Sequence, residues 1–196
     1  MIGRLSGTLL AKAPPALLLD VAGVGYELEA PMSTFYRLPA LGESVVLHTH
    51  LVVREDAQLL YGFASEAERA LFRQLLKVSG VGAKLALVIL SGVAVQELIE
   101  IVQEADVARL VRIPGIGRKT AERLILELRE PLGRLAVAAS ASFVSRDGDA
   151  LQDAASALEA LGYKPAEARA ALRDLATDGL RSEDLIRSAL KRLMRG

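Results

Sequence analysis

Between Ile2 and Phe63 the apolar residues come in short runs rich in Val, Leu and Thr: "IGRLSGTLL", "ALLLDVAGVGYELEA" and "SVVLHTHLVV". Pro14-Pro15, Gly23-Val24-Gly25 and the stretch Pro39 to Gly42 punctuate them. Short β-prone runs bounded by turn formers predict strands, here a small barrel of about five. At Ser65 the period changes. "SEAERALFRQLLKV" spaces Ala67, Leu71, Leu75 and Val78 as one face of a helix, behind a capping box of Ser65 and Glu68. Everything after it reads as helix. The Ala/Ser-rich stretch within "REPLGRLAVAASASFVSRDGD" shows no clear 3.6-residue period and is expected to be a linker. Three short amphipathic helices follow, Leu151 to Leu161 stopped by Gly162, Pro165 to Leu175, and Ser182 to Met194.

The middle region repeats itself. "LLKVSGVGAKLALVIL" (75–90) lies over "LVRIPGIGRKTAERLI" (110–125) at an offset of 35, pairing Leu75 with Leu110, Gly80 with Gly115, Gly82 with Gly117, Lys84 with Lys119 and Ala86 with Ala121. A solenoid needs about three copies. Two copies are better explained as a pair of helix–hairpin–helix units.

"GIGRKT" invites comparison with a nucleotide cradle, and the comparison fails. With Lys119-Thr120 as the closing pair, a P-loop needs glycine at 118 and 113, where Arg118 and Ile113 stand. The motif also follows a helix, whereas a P-loop follows a strand. The dinucleotide fingerprint lacks its third glycine in both copies, at Leu85 and Thr120.

Glycines in a tight interhelical link take positive φ without steric cost and let another backbone approach. A phosphate can then rest on the free N–H groups of the next helix, where the helix dipole favours an anion. Lys84, Arg118 and Lys119 fall in that first turn. Such contacts read no bases, so they predict binding to sugar–phosphate backbone irrespective of sequence. "AGVGYE" at 22–27 lacks a following helix or cation and reads as a strand-to-strand turn.

Charge and composition narrow the picture further. Lys+Arg and Asp+Glu each total 24, so the overall balance carries no nucleic-acid footprint. Its distribution does: residues 1–62 are net −2, residues 63–134 net +2 and residues 135–196 neutral. Absence of cysteine excludes disulfides, thiolate metal sites and a cysteine nucleophile. His48 and His50, the only histidines, alternate on one strand face and read as solvent- or interface-facing rather than as a metal pair. No uncharged run is long enough to span a bilayer, and a soluble cytoplasmic protein without membrane partners, metal or other cofactor is expected.

Over its whole length the sequence resembles the RuvA family, the Holliday-junction-binding subunits of the bacterial RuvAB branch-migration complex. The resemblance rests on "MIGRL" at the start, "VGYE" at 24–27, "HLVVREDAQLLYGF" at 50–63, "GVGAKLALVILSG" at 80–92, "IPGIGRKTAERLI" at 113–125 and "ALGYKP" at 160–165. It implies an α+β multidomain chain: an OB-fold barrel mediating tetramer formation (1–63), a tandem helix–hairpin–helix domain (64–131), a flexible linker (132–148) and a three-helix domain (149–196) that engages the hexameric ATPase RuvB. The implied protein is a non-enzymatic homotetramer, one or two per junction, that holds a four-way DNA junction open and planar, with the resolvase RuvC in the larger complex. Catalytic residues are absent on this reading.

Carried over by position, the backbone contacts are Ser79, Gly80, Gly82, Lys84, Gly115, Gly117, Arg118, Lys119 and Arg123. Arg118 stands where lysine is common, keeping charge but changing donor geometry. Glu55 and Asp56, in "REDAQ", correspond to the family's acidic pin, and Arg54 beside them is placed to hold a phosphate. A carboxylate meeting a phosphate at 4 Å is repelled by about 1 to 4 kcal/mol for effective dielectrics of 80 to 20, which would bar strands from the tetramer centre. Leu158, Leu161, Tyr163 and Leu190 match the positions that grip RuvB. Leucines of a three-helix unit are mostly core, and of the four Tyr163, just after Gly162, is the one most expected at the surface. The residues by themselves also fit a generic duplex-binding repair module and, less well, a metal-dependent junction nuclease, for which no converging carboxylate cluster is evident.

Overall fold

A computed structural model of the chain describes residues 2–142, 150–173 and 182–193. The chain divides into two compact units, Met1–Val137 and Ala138–Gly196.

The first unit opens with five strands, β1 (Arg4–Ala13), β2 (Ala16–Val21), β3 (Val24–Glu29), β4 (Ser44–Val53) and β5 (Gln58–Phe63), closed in the order β1-β2-β3-β5-β4. All neighbouring pairs are antiparallel except β3 with β5. This is the OB-like barrel expected. The alternation of the sequence sets its register: Leu17 and Leu19 on β2, Leu28 on β3 and Leu47 on β4 point inward and are buried. Ala22 and Gly23 make the β2–β3 turn with positive φ, and Asp20 Oδ1 accepts from the Gly23 N–H at 2.7 Å. A short helix, α1 (Met32–Phe35), interrupts the β texture between β3 and β4. The run contains no helical period long enough to announce it.

Five helices complete the first unit or begin in it: α2 (Glu66–Leu75), α3 (Ala83–Gly92), α4 (Val95–Gln103), α5 (Val107–Val111) and α6 (Arg118–Ser142). Ser65 caps α2 as its sequence predicts, its Oγ accepting from the Glu68 N–H at 3.2 Å. The barrel and these helices share a core. Tyr61 and Phe63 of β5 turn away from the barrel interior and pack with Phe72 of α2, ring centroids 5.0 and 4.9 Å apart. Polar contacts reinforce the seam: Arg69 donates to the carbonyls of Gly3 and Thr49, and His48 pairs with Glu66 at 3.0 Å. His50 accepts from Arg73 Nε at 3.3 Å and lies edge-on to Phe72. Both histidines therefore face helix α2.

The stretch 132–148 reads as a linker in the sequence, but α6 runs on through its first part to Ser142, with Pro131 inside the helix. Alanine and leucine are the strongest helix formers, and a run of them extends a nucleated helix without needing a periodic apolar face. Residues 143–149 lie outside the described residues.

The second unit carries α7 (Ala150–Ala160), α8 (Pro165–Arg173) and α9 (Ser182–Leu193). Ala154, Leu158, Ala168, Ala171, Leu172, Leu185 and Ala189 form its core. Gly162 ends α7 at φ +98°, the left-handed conformation that closes helices.

Candidate nucleic-acid interface

The two hairpins are conformational copies. Gly80 and Gly115 both sit at φ +87°. In the first, the Val81 N–H bonds the Val78 carbonyl at 3.0 Å, and in the second Ile116 bonds Ile113 at 3.1 Å. Gly82 and Gly117 then start the following helices, their carbonyls accepting from Ala86 and Ala121.

The same matching holds in the core. Leu75 and Leu110, Val78 and Ile113, Val81 and Ile116, and Ala86 and Ala121 are all buried. Burying each Val, Leu or Ile among them contributes about 1.5–3 kcal/mol, against about 0–1 kcal/mol for an exposed ion pair such as Arg118–Glu122. Packing, rather than surface charge, therefore sets the hairpin shape. It leaves Ser79, Gly80, Gly82, Gly115 and Gly117 exposed between apolar pins.

The helix starts beyond the hairpins differ from that of α2. Where α2 begins with a serine cap and two glutamates, Gly82 offers α3 no side-chain cap, and neither α3 nor α6 has an acidic residue in its first turn. Their N–H groups and dipoles face outward without an internal counter-charge in that turn. Lys84 and Lys119 are exposed beside them, and Arg118 lies alongside, its Nε donating to Glu122 at 3.0 Å.

The repeats also brace each other. Arg123 of α6 reaches the first hairpin, donating from Nη1 to the Ser79 carbonyl at 3.0 Å and to its Oγ at 3.1 Å. In return Leu85 of α3 lies against the second: a Cβ built on Gly115 would meet Leu85 Cδ1 at 3.2 Å. Neither Leu85 nor Glu127, whose Oε2 accepts from the Ser79 N–H at 3.4 Å, stands out in the sequence. The only hint of Glu127 is its place four residues after Arg123.

Other expected site residues lie elsewhere. Arg54, Glu55 and Asp56 form the exposed β4–β5 turn, closed by the Arg54 N–H on the Ala57 carbonyl at 2.8 Å. Among the described residues no hydrogen bond or ion pair joins this turn to a hairpin. In the second unit Leu161 is 62% exposed, while Tyr163 and Leu190 pack partly against the core. Leu158 is fully buried in the core between the helices of this unit.

Paired helix–hairpin–helix units with outward helix starts and flanking cations, carried on a closed barrel, define a DNA-backbone-binding protein. Family models place it further: RuvA N terminal domain matches residues 1–62, SAM-like Helix-hairpin-helix tandem residues 72–130, and RuvA, C-terminal domain residues 149–194. The chain is 60% identical to the Holliday junction branch migration complex subunit RuvA of Thioalkalivibrio sulfidiphilus, over 97% of this chain and 98% of that one. It is 57% identical to that of Nitrosococcus oceani (99% and 100% covered) and 55% to that of Stutzerimonas stutzeri (97% and 98%). The chain belongs to the RuvA family.

Proposed function

We propose that this chain binds four-way DNA junctions by their sugar–phosphate backbone, holds them open as a homotetramer, and targets the RuvB ATPase to them for branch migration. It is the non-catalytic subunit; ATP hydrolysis belongs to RuvB. The observation that carries the reading is the duplicated hairpin, two copies in one backbone conformation with a free helix start and a lysine at the same place in each.

On this reading Gly80, Gly82, Gly115 and Gly117 allow a phosphate to approach the first-turn amides of α3 and α6, and Lys84, Lys119 and Arg118 close on it. Arg123 and Ser79 tie the two grips together. Two grips on one subunit follow one arm, and four subunits serve four arms. Glu55 and Asp56 are the pin at the tetramer centre, repelling phosphates that converge there, with Arg54 holding one beside them. Leu161, Tyr163 and Leu190 belong to the RuvB-binding face of the second unit. One or two tetramers hold each junction, and RuvC joins the larger complex.

The deciding experiment is a gel shift of a four-way junction against linear duplex of the same sequence, with and without Mg²⁺. Tighter binding to the junction is expected. Equal affinity would point to a generic duplex-binding module, and Mg²⁺-dependent nicking to a nuclease.

A further inference from the structure

The first hairpin makes an interaction that has no counterpart in the second. Glu127 Oε2 accepts from the Ser79 N–H at 3.4 Å, and its Oε1 lies 3.9 Å from Arg123 Nε. Arg123 in turn holds the Ser79 carbonyl and hydroxyl through Nη1. At the matching place of the second hairpin stands Pro114, which has no N–H to donate. Thirty-five residues before Glu127 stands Gly92, which has no side chain. One copy of a duplicated motif thus has a carboxylate against its hairpin amide and beside a guanidinium, the two donor types a DNA phosphate would use. Both side chains stay within reach of solvent, 38% exposed for Arg123 and 37% for Glu127.

We infer that Glu127 is an internal stand-in for phosphate at the first hairpin. It occupies the Ser79 amide and one side of Arg123 in the DNA-free protein, and an arriving strand must displace it. Arg123 is a positioning residue here, keeping Ser79 in place through its carbonyl and hydroxyl while the carboxylate gives way. The consequence is unequal grips: the second hairpin holds the backbone without a competitor, while the first holds and releases it more readily. Easy release at one of two grips suits a subunit whose DNA moves through it.

This inference rests on the backbone-binding reading above. Its test is Glu127→Gln in the full-length tetramer, titrated with a four-way junction across a salt series. Glutamine keeps an acceptor for the Ser79 N–H but removes the charge. Affinity should rise roughly two- to fivefold per engaged subunit, the scale of one exposed ion pair. The salt dependence should steepen by up to about 0.9 in log–log slope per engaged subunit, because the Nε side of Arg123 is released to neutralise a phosphate while Nη1 still holds Ser79. In an Arg123→Ala background the effect of Glu127→Gln should shrink. Unchanged or weaker binding with an unchanged melting temperature would overturn the inference and make Glu127 a brace of the hairpin. If glutamine loosens the fold, the Ser79 amide resonance of the unsubstituted protein decides: a shift on adding junction supports displacement, and no shift overturns it. Lys84→Ala with Lys119→Ala is the control. If that variant binds junction as tightly and with the same salt slope as the unsubstituted protein, the backbone-binding reading itself falls; if it binds more weakly while Glu127→Gln binds no tighter, only the stand-in falls.

Discussion

Gly80 and Gly115 stand thirty-five residues apart and share one left-handed backbone, yet they face different neighbours. A Cβ on Gly80 would lie 3.8 Å from the far end of the Arg123 side chain, and one on Gly115 3.2 Å from Leu85 Cδ1. Alanine at either position costs about 1–2 kcal/mol for its φ alone. Gly115→Ala should cost more, because Leu85 is wedged between α3 and the hairpin and has to shift. Urea midpoints of the two variants check this. Equal losses would mean that Leu85 yields freely.

Replacing Lys84 and Lys119 by alanine should weaken junction binding and flatten its salt dependence. The log–log slope should fall by about 0.9 for each phosphate that the variant no longer neutralises. Both side chains are exposed, so thermal stability should hardly change. Kd measured from low to moderate salt is the readout, and an unaltered slope would remove these lysines from the interface.

Neutral residues at Glu55 and Asp56 should leave junction binding intact or tighter while altering branch migration with RuvB. The turn is closed by backbone, through the Arg54 N–H on the Ala57 carbonyl, so its fold does not depend on the carboxylates. Loss of binding in the doubly substituted protein would show instead that the acids support the barrel.

His50 should make the first unit more stable at neutral than at acid pH. Burial first, then Arg73 and Arg69, push its imidazole below the usual histidine range. The folded protein thus favours the neutral ring, and the unfolded chain takes up the proton first as pH falls. The stabilisation is full above about 6.5, the unperturbed value, and is lost as pH drops toward the lowered folded value. Denaturant midpoints at several pH values, compared between the protein and His50→Gln, isolate the contribution. Parallel curves would show that His50 is silent.

In the second unit Leu158→Ala and Leu161→Ala should separate stability from docking. Leu158 is wholly buried, and its truncation should cost about 2–5 kcal/mol. Leu161 is 62% exposed, so its truncation should leave melting unchanged and weaken RuvB binding. Calorimetry and a pull-down with RuvB distinguish the two. Strong destabilisation by Leu161→Ala would place it in the core.

Periodicity carried most of the secondary structure. Alternation at Leu17, Leu19 and Leu47 implied strands, the Ser65 box implied the start of α2, and the offset of 35 implied two hairpins. Short or aperiodic elements were not legible. Four residues of α1 give no period, and the alanine-rich end of α6 is helical by propensity without an apolar stripe. The burial of Leu158 was not legible either, because a leucine on an amphipathic helix looks the same whether it meets its own core or a partner.

The sequence by itself determined the barrel, the duplicated hairpins, the free helix starts and the family, because these depend on local pattern and on glycines that only a left-handed turn requires. The tertiary structure alone decided what joins them. Tyr61 and Phe63 meet Phe72 across the barrel wall, His48 and His50 turn to α2, and Arg123 with Glu127 closes on Ser79 from 44 and 48 residues away. Such contacts arise only when packing brings distant segments together, and no local pattern in the chain encodes them.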